Sequence, residues 1–384
     1  MNRSRLLFVT QDFPPAIGGI QRYSLELASA LDPLCSEFGV LAPRSPGARE
    51  TDAGLSFSVR RVWANSDTLP FLAAPALLST SRRGAYTCTL HAQWASAPIA
   101  LLARRLGRLR KVAVAAHGRE LLLTPFGHLP PFQREYDRLR ARVLCAVDRV
   151  FAVSHYTASL VRELGVLPER VVVVPNGTNA ENFRPLPRED ARARLGLSAT
   201  PLLLSVARLV PRKGLDSVLR ALPALCTRVP GGVHYVIAGT GPDRERLLAL
   251  ARTLGVAERV RMIGHVADAD LPLWYAACDV FVMPARSEPP DVEGFGLVFL
   301  EASACERPVV AVRSGGVVDA IEHEKTGFLL TPGDDAALSD ALSRLLLEPN
   351  LAAEFGRAGR ARVERDFTWK RVATRIVDEL GREP

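Results

Sequence analysis

The sequence predicts an α/β fold of two Rossmann-like, doubly wound domains, and three observations lead to this expectation. Short apolar runs of about four to eight residues recur along the chain, and each is followed by Gly or polar residues. Uninterrupted apolar runs, unlike alternating ones, are typical of parallel strands that are covered on both faces. Segments with the apolar spacing of helices separate these runs. The alternation restarts after a Pro-rich segment, which indicates two domains rather than one.

The apolar runs are the predicted strands, four in the first half of the chain and five in the second. The segments between them, such as GIQRYSLELASAL and LDSVLRALPALCTRV, have the periodicity of amphipathic helices. In chain order the predicted strands are RLLFVT, KVAVAAH, RVFAVS and RVVVVPNG, then PLLLSVAR, VHYVIAG, RVRMIG, VFVMP and RPVVAV.

The segment at 184–200, RPLPREDARARLGLSAT, is rich in Pro and charge, carries no predicted strand and is the best candidate for a linker. We therefore expect a first domain over residues 1–185 and a second over residues 186–366. The final stretch, 367–384, contains the amphipathic helix FTWKRVATRIVDEL with no strand after it. We expect this helix to pack back on the first domain.

The composition is that of a globular chain, with 48% hydrophobic and 23% charged residues among 384. No apolar run approaches the ~20 residues of a membrane span, and Leu6–Val9 is shorter than the apolar region of a signal peptide. These features predict a cytoplasmic protein. The six cysteines are scattered without metal-ligand spacing, which favours buried thiols over a metal site or a disulfide framework.

The net charge of +8 is unevenly distributed along the chain. Residues 1–185 hold 23 Lys and Arg against 14 Asp and Glu, whereas residues 186–384 hold 26 against 27. The basic half, with clusters at 81–84 (SRRG) and 101–111, including Arg104, Arg105 and Arg108, would be attracted to an anionic membrane surface. Ordinary solvated faces in an Arg-rich sequence explain the excess equally well. Nucleic acid is not expected, because aromatic residues do not interleave with the basic ones.

Two candidate ligand contacts follow predicted strands of the first domain. Gly18 and Gly19 come after the first strand and immediately before a helix, whose free N–H groups suit an anion. The surrounding residues do not match the G-x-G-x-x-G pattern of nicotinamide-binding proteins, and a plain turn is the alternative. His117 ends the strand KVAVAAH, where a neutral imidazole can hydrogen-bond a ligand hydroxyl or simply serve the packing.

Two cations lie just beyond the first strand of the second domain. Arg208 and Lys213 are five residues apart in a loop with Pro and Gly, and together they suit a diphosphate. Surface charge is the alternative. The nearby GTGP at 239–242 is interpreted as a turn between strand and helix. The pair Asp268 and Asp270 is a weak metal signal, because Asp270 suits the N-cap of a helix that begins Leu-Pro.

Two acids eight positions apart, Glu293 and Glu301, flank the stretch from Gly294 to Val298. The residues LVFLEASAC read as a helix, and its first amides are candidates for receiving a phosphate. Eight residues of ideal helix span ~12 Å. The carboxylate pair of a retaining hydrolase is ~5 Å apart. The two acids are therefore expected to contact different parts of one extended ligand.

Together these motifs resemble the retaining glycosyltransferases of family 4, which have the GT-B fold, and the resemblance covers essentially the whole chain. EGFGLVFLE matches the E-x7-E motif of that family, and RPVVA, SGG and GFLL follow it in family order. VPNG, RLVPRKG and GTGP precede it in the same order. Within the family, DFPPAIGGIQRY and PPDVEGFG are similar to the bacterial phosphatidylinositol mannosyltransferase branch.

The resemblance implies two domains facing a central cleft, with acceptor bound by the first and nucleotide sugar by the second. It implies transfer of a hexose such as mannose from a GDP-sugar or UDP-sugar, with retention and without metal or cofactor. The acceptor would be a lipid-linked or envelope glycan, and the enzyme cytoplasmic or peripheral on the inner face of the cell membrane. Arg208 and Lys213 would hold the diphosphate, Glu301 the ribose, and Glu293 and His117 the transferred sugar. The remaining implied donor contacts are Gly18, Gly19, Gly264, His265, Val266, Gly294, Phe295, Gly296, Leu297 and Val298.

Three positions depart from the family pattern. Glu306 replaces a frequent Gly, Val318-Asp319 replaces Pro-Glu, and Asn179 replaces Asp. The last two lie near strand ends and put the acceptor in doubt more than the reaction. Two other functions stay open at this point, a different nucleotide-sugar enzyme such as an epimerase and a catalytically silent sugar-binding scaffold subunit.

Overall fold

The computed structural model describes residues 4–64, 69–82, 85–123, 130–289 and 291–382. It divides into two compact units, Met1–Asn176 together with Trp369–Pro384, and Gly177–Thr368. Each unit is a parallel sheet with helices, so the predicted class of two α/β domains is confirmed. Of the basic cluster at 81–84, no side chain belongs to the described part of the chain.

The first unit has a seven-stranded sheet in which all neighbouring strands are parallel. Its spatial order is β3-β2-β1-β4-β5-β6-β7, so the chain reverses direction across the sheet between β1 and β4. The carboxyl ends at such a reversal are the usual place for a ligand. The strands are β1 Arg5–Val9, β2 Glu37–Pro43, β3 Ser58–Val62, β4 Cys88–His91, β5 Lys111–Ala116, β6 Arg149–Ala152 and β7 Val171–Val173.

The helices of the first unit include the last helix of the chain. That helix, α17, packs on α1 through the edge-to-face rings of Tyr23 and Trp369, whose centroids are 5.6 Å apart. Val372 and Ile376 of its apolar face are buried. The helices are α1 Gly19–Leu31, α2 Ala48–Ala53, α3 Leu69–Leu72, α4 Ala74–Arg82, α5 Ala97–Arg105, α6 Arg119–Leu122, α7 Pro130–Ala146, α8 His155–Glu163 and α17 Trp369–Gly381.

The second unit has a six-stranded parallel sheet with the order β10-β9-β8-β11-β12-β13. Its first strand, β8, lies beside β11, so here too the chain reverses direction across the sheet. The carboxyl ends of β8 and β11 are therefore where the loops of this unit are expected to bind a ligand. The strands are β8 Leu202–Val206, β9 His234–Ala238, β10 Val260–Gly264, β11 Val280–Met283, β12 Val309–Val312 and β13 Gly327–Leu330.

Helices cover this second sheet and bury a core built from the uninterrupted apolar strands. Leu203, Tyr235 and Val310 of the sheet pack with Leu219 and Leu342 of the helices, and all five are fully buried. The helices are α9 Arg188–Leu195, α10 Leu215–Arg228, α11 Arg244–Thr253, α12 Leu271–Ala277, α13 Leu297–Ala304, α14 Val317–Ala320, α15 Asp335–Leu347 and α16 Pro349–Asp366. Short 3₁₀ turns lie at Asp32–Leu34, Trp94–Ser96, Pro168–Arg170, Pro211–Lys213 and Ala257–Arg259.

The segment around the expected domain boundary belongs to the second unit. Sequence analysis placed the end of the first domain at residue 185, whereas the structure groups residues 177–185 with the second unit. The N–H of Thr178 donates to the carbonyl of Phe367 at 2.8 Å, and Arg360 donates to the carbonyls of Ala180 and Phe183. These backbone contacts attach the segment to the second unit.

The predicted linker at 184–200 contains helix α9, which packs on α12. Arg192 of α9 is buried, donates to the carbonyl of Ala277 and pairs with Asp279 at 2.6 Å. Arg192, one of the charged residues that led to the linker prediction, is thus part of a buried ion pair.

In the described part of the chain, every helix falls short of the length and apolar character that crossing a membrane requires. All six cysteines are free thiols, four of them buried and two half-buried, which agrees with the expectation of structural cysteines.

Candidate functional site

In the second unit, two loops meet at the carboxyl ends of β8 and β11. The first follows β8 and ends at Gly214, and the second follows β11 and leads to α13. They are joined because the N–H of Arg286 donates to the carbonyl of Arg212 at 2.7 Å. Gly214 has a φ of 69°, and a Cβ there would collide with the carbonyl oxygen of Pro284. Only glycine fits this close approach of the two loops.

The centre of this region is an ion-pair cluster around Glu293. Lys213 Nζ donates to Glu293 Oε2 at 2.5 Å, and Arg212 Nη1 donates to the same oxygen at 3.0 Å. The three side chains are between 11% and 14% exposed. Burial alone would raise the pKa of Glu293, but the charges of Lys213 and Arg212 outweigh it and lower the pKa from 4.5 to about 2. Glu293 is therefore ionised throughout the physiological range and is held by two cations.

Arg212 is a site residue that sequence analysis missed. Its Nε lies 2.8 Å from Asp291 Oδ2, so one guanidinium contacts two acids of the second loop. Its neighbour Lys213 was predicted, and both lie in the 3₁₀ turn Pro211–Lys213. The signal that could have found it is the Arg-Lys dipeptide together with the acids at 291 and 293, which alternate in the facing loop.

Arg208, the other predicted diphosphate contact, is not brought into this cluster. Its side chain is exposed and forms no ion pair with any acid that the structure describes. The backbone on either side is held by β9 and its following turn, because Ala207 N donates to Ala238 O and Leu209 N donates to Thr240 O. The GTGP turn thus holds the loop that presents Arg208, and the guanidinium itself is available to a ligand.

The backbone of Glu293 is braced by the SGG turn after β12. Gly316 N donates to the carbonyl oxygen of Glu293 at 2.9 Å. Gly315 has a φ of 49°, and a Cβ there would collide with the same carbonyl oxygen and with Val292. The SGG turn therefore holds Glu293 in place through a contact that a larger residue would block.

Helix α13 begins at Leu297, close to the predicted start. Gly296 is its N-cap residue and provides no side-chain cap for the first amides. The prediction that amides from Gly294 to Val298 receive a phosphate stays a prediction. Phe295 is 2% exposed and packs on the ring of Phe367, so any ligand contact of this residue would be through its backbone.

Glu301 lies in the interior of α13 in a different environment from Glu293. It is 2% exposed, and the hydroxyl of Tyr275 donates to its Oε2 at 2.8 Å. Tyr275 is itself fully buried and packs against the rings of Phe281 and Phe183. One glutamate is thus held by cations and the other by a hydroxyl. Tyr275 was also missed, since its WYAACD context reads as ordinary core.

The predicted donor contacts Gly264, His265 and Val266 lie at the carboxyl end of β10, whose last residue is Gly264. The carbonyl of Gly264 accepts a hydrogen bond of 2.6 Å from Gly239 N, which connects this segment with the GTGP turn. His265 is exposed and Val266 is half-buried. The structure therefore places this segment beside the GTGP turn that follows β9, and β9 and β8 lie between its strand and β11.

In the first unit, the loop after β1 is organised around Asp12. Gln21 Nε2 donates to Asp12 Oδ1 at 2.9 Å, and Gln93 Nε2 donates to Asp12 Oδ2 at 3.2 Å. Gly18 and Gly19 are exposed at the start of α1, which has no side-chain cap at its N-terminus. A Cβ at Gly18 would collide with the side-chain oxygen of Gln21, whereas Gly19 faces open space.

His117 follows β5 and is half-buried. Its backbone N–H donates to Glu120 Oε1 at 2.6 Å, and its ring contacts the edge of Tyr23 with centroids 4.5 Å apart. Nε2 lies 3.1 Å from the carbonyl of Ala92, which can only accept, so Nε2 carries the proton. Burial is the largest influence and lowers the pKa of His117, although the charge of Glu120 opposes it. The neutral ring thus presents Nδ1 as an acceptor for a hydroxyl.

Asp268 and Asp270 are exposed, and Asp270 occupies the N-cap position of α12 as expected, without a side-chain capping bond. Among the described residues no group of three or more His, Cys, Asp and Glu side chains is arranged to hold a metal ion.

Two of the three departures from the family pattern have local structural explanations. Glu306 has a φ of 57°, a left-handed conformation that explains why Gly is frequent at this position. Asn179 Oδ1 accepts from the N–H groups of Glu181 and Asn182, both at 3.1 Å, and so forms a turn that Asp would form equally well. Val318, on α14, is exposed. Glu306 and Asn179 therefore do not indicate an altered acceptor.

Comparison with known proteins covers nearly the whole chain. The family profile described as Glycosyltransferase Family 4 matches residues 17–182, and that described as Glycosyl transferases group 1 matches residues 187–362. A GDP-mannose-dependent alpha-(1-6)-phosphatidylinositol monomannoside mannosyltransferase of Mycobacterium tuberculosis is 36% identical over 98% of both chains. A GDP-mannose-dependent monoacylated alpha-(1-6)-phosphatidylinositol monomannoside mannosyltransferase of Corynebacterium glutamicum is 33% identical over 100% of both.

Among solved structures, a sucrose-phosphate synthase from Thermosynechococcus elongatus superposes with a TM-score of 0.79 at 23% identity, covering 98% of both chains. This likeness agrees with the predicted GT-B fold class. The full-length relatives support the interpretation as a glycosyltransferase rather than an epimerase. This chain therefore belongs to glycosyltransferase family 4, the family that its motifs resemble.

Proposed function

We propose that this glycosyltransferase moves mannose from GDP-mannose to a phosphatidylinositol mannoside or a similar glycolipid, with retention of the anomeric configuration and without a metal ion. The observation that carries the proposal is the ion-pair cluster of Lys213 and Arg212 with Glu293 and Asp291, at the sheet reversal of the second unit. The full-length relatives that use GDP-mannose support the choice of donor and of acceptor class.

The donor diphosphate is the group that this cluster suits chemically. Departure of GDP leaves negative charge on the phosphate, and fixed cations in a partly buried site stabilise that charge without reorganising. Lys213 supplies a point charge, and Arg208 supplies a planar fork that no described acid occupies. Arg212 pairs with Asp291 and Glu293 and so fixes the loop from which Glu293 contacts Lys213.

Glu293 and His117 serve the transferred sugar in this proposal. Glu293 is ionised at physiological pH and accepts hydrogen bonds from sugar hydroxyls, which orients the ring. His117 accepts another hydroxyl at Nδ1 because Nε2 is committed to Ala92. In the retaining mechanism the acceptor hydroxyl attacks on the face of the leaving group, and the departing phosphate takes its proton. No protein nucleophile is then required.

The same charges support the proposed independence from a metal ion. Many transferases neutralise the diphosphate with a divalent cation. Here Lys213 and Arg208 are proposed to do so, because both are in the loop after β8 where a ligand of this sheet is expected. Addition of a chelator should leave transfer unchanged.

Peripheral association with an anionic membrane is proposed for the first unit. Leu102 and Leu106 are 50% and 56% exposed near the end of α5, next to the exposed Arg105. Arg104 is occupied instead, since it pairs with Asp148 at 2.5 Å and donates to the carbonyl of Ala146. Arg105 and the two leucines are therefore better membrane candidates than Arg104.

The experiment is a panel of GDP-sugars and UDP-sugars incubated with the protein and phosphatidylinositol monomannoside, with and without a chelator. We expect GDP release coupled to a mannosylated lipid, and an α-anomeric product by NMR. Transfer from a UDP-sugar alone would contradict the proposed donor. Binding of GDP-mannose without turnover on any acceptor would instead support a catalytically silent scaffold.

A further inference from the structure

A cavity of about 870 Å³ lies in the first unit at the carboxyl ends of β2 and β3, away from His117. We call it the edge basin and define it by Arg44, Ser45, Arg49, Arg61 and Trp63, which line it. Carboxyl ends of parallel strands are where α/β sheets bind ligands. The two strands after which this basin opens are the outermost on their side of the sheet.

Arg61 forms the fixed wall of the edge basin. It binds Asp52 through two bonds, Nε to Oδ2 at 2.9 Å and Nη2 to Oδ1 at 2.6 Å. It also donates to the carbonyls of Pro43 and Pro14, at 2.9 and 2.6 Å. Arg61 thus neutralises the charge of Asp52 within the wall. Because these four bonds already occupy its guanidinium, Arg61 is not expected to bind a ligand.

Two arginines of the edge basin have no such partner. Arg44 and Arg49 are exposed, and neither forms an ion pair with an acid in the part of the chain that the structure describes. With Asp52 neutralised by Arg61, these two cations face Glu50 as the lining acid. The basin therefore carries an excess positive charge, which favours an anionic ligand.

Trp63 adds a second kind of contact. Its side chain is 77% exposed, and the guanidinium carbon of Arg44 lies 3.9 Å from its ring centroid. This stacking orients Arg44 over one face of the indole, so the arginine is partly ordered before any ligand arrives. The wall also contains Ser45, whose Oγ is buried without a hydrogen-bond partner among the described residues. A buried hydroxyl without a partner is uncommon.

We propose that the edge basin binds the phosphorylated, hydroxyl-rich headgroup of an acceptor, with Arg44 and Arg49 on the phosphate and Trp63 against the polyol ring. Arginine is the residue of choice for phosphate, because its planar fork matches the phosphate oxygens. Glu50, which is exposed, supplies a carboxylate acceptor for ring hydroxyls. The choice of a phosphorylated polyol rests on the proposed function, whereas the charge and the cavity do not depend on it.

The edge basin is continuous with the loop that precedes α1. Arg61 donates to the carbonyl of Pro14, and a Cβ on Gly47 would be in van der Waals contact with Pro15. That loop leads directly to Gly18 and Gly19. A headgroup held by Arg44 and Arg49 would therefore lie in the same first unit, next to the loop for which a ligand contact was predicted from sequence.

The test measures binding of inositol 1-phosphate to the whole protein by calorimetry, without any sugar donor. The double variant Arg44→Gln and Arg49→Gln should weaken binding by at least about tenfold, since each charge-assisted bond contributes a large share of such an affinity. The control Arg162→Gln removes an exposed arginine of α8 in the same unit and should leave binding unchanged. Trp63→Leu should weaken the binding of inositol 1-phosphate more than the binding of inorganic phosphate.

Vesicles distinguish the two sources of this chemistry. Co-sedimentation compares phosphatidylinositol with phosphatidylglycerol vesicles, which carry equal charge but different headgroups. If the double variant loses inositol 1-phosphate binding and its preference for phosphatidylinositol, the basin recognises the phosphorylated polyol itself. If it loses the preference for phosphatidylinositol alone, the basin recognises the lipid-borne headgroup. If the double variant binds as well as the wild-type protein in both assays, the proposal is overturned.

These outcomes are separate from those of the proposed function. A wild-type protein that transfers no mannose from GDP-mannose would refute the proposed function and leave the binding test intact. Conversely, a double variant that transfers mannose with an unchanged acceptor KM and binds inositol 1-phosphate normally would refute the edge basin alone.

Discussion

The two parallel sheets carry chemically different groups at the carboxyl ends where their strand order reverses. In the second unit this edge holds Lys213, Arg212 and Glu293 in a cluster of buried ion pairs. In the first unit it holds His117, a ring that burial keeps neutral, and amide side chains that bind Asp12. The same sheet topology thus supports a charged edge and a mostly neutral one, because the loops and not the strands determine the chemistry.

This difference matches the two demands of sugar transfer from a nucleotide diphosphate. A leaving diphosphate is stabilised by fixed positive charge, whereas hydroxyl groups are held by neutral donors and acceptors. If the division is real, removing a cation from the charged edge should cost the most activity. Changing a neutral group should cost less and should leave the response to pH almost unaltered.

The largest expected effect is that of Lys213→Ala. Loss of this cation should lower kcat by about 10³-fold, because a single preorganised group that stabilises developing charge contributes on this scale. The fold should survive, since Arg212 still pairs with Glu293. Circular dichroism and steady-state transfer of mannose check the two statements. Lys325→Ala, at a lysine 74% exposed in the same unit, is the matched control. Similar rates in both variants would contradict the charged edge.

The second prediction concerns Glu293→Gln, which should lower kcat by about 10²-fold and also change the response to acid. The pKa of Glu293 falls from 4.5 to about 2 on folding, so its ion pairs add stability above pH 4.5. That contribution, about 3 kcal/mol at most, is lost as the pH falls from 4.5 toward 2. Urea denaturation between pH 3 and pH 6 should therefore show a steeper loss of stability in wild type than in Glu293→Gln. Parallel curves would mean that the ion pairs do not hold Glu293.

His117→Asn tests the neutral edge and should have a smaller effect. Loss of one acceptor for a neutral hydroxyl should lower kcat/KM by about tenfold. Burial lowers the pKa of His117, so any fall in wild-type activity due to protonation of this residue should begin at a lower pH than for an ordinary exposed histidine. Protonation on further acidification would remove the Nδ1 acceptor. His155→Asn, at an exposed histidine at the start of α8, is the control. A loss as large as that of Lys213→Ala would erase the distinction between the edges.

Sequence analysis identified β1, β5 and β11, whose buried residues are all apolar, but it missed β2, EFGVLAP, and β13, GFLL, whose buried residues are equally apolar. It missed β3, SVRRV, because two arginines interrupt the apolar pattern, and Arg61 becomes acceptable there only through its bonds to Asp52 and two carbonyls. It also missed β4, CTLH, in which Thr89 and His91 are fully buried. His91 bonds Thr89 and Ser96, and such mutual satisfaction is not visible in a sequence.

The candidate site shows the same limit. Lys213 and Glu293 could be identified from their motifs, whereas their direct pairing depends on two loops separated by 80 positions. Arg212 reads as one more surface charge until Asp291 and Glu293 are placed beside it. Arg208 was predicted from its spacing to Lys213, and the structure leaves it outside the cluster. Sequence patterns thus indicate which residues matter at this edge better than they indicate which residues touch.

The smallest effect on activity is expected from Tyr275→Phe, which tests whether the charged edge extends to Glu301. The variant removes the hydroxyl that donates to Glu301 Oε2 and should destabilise the protein by about 1–2 kcal/mol. If Glu301 binds the donor, its loosened carboxylate should also raise the KM for GDP-mannose by about threefold, with kcat unchanged. Tyr235→Phe is the matched control, since Tyr235 is equally buried and its hydroxyl bonds Ser205 at 2.7 Å. We expect both variants to lower Tm and only Tyr275→Phe to change KM. An equal change of KM in both would assign Tyr275 and Glu301 to the core of the unit, and the charged edge would then end at the first turn of α13.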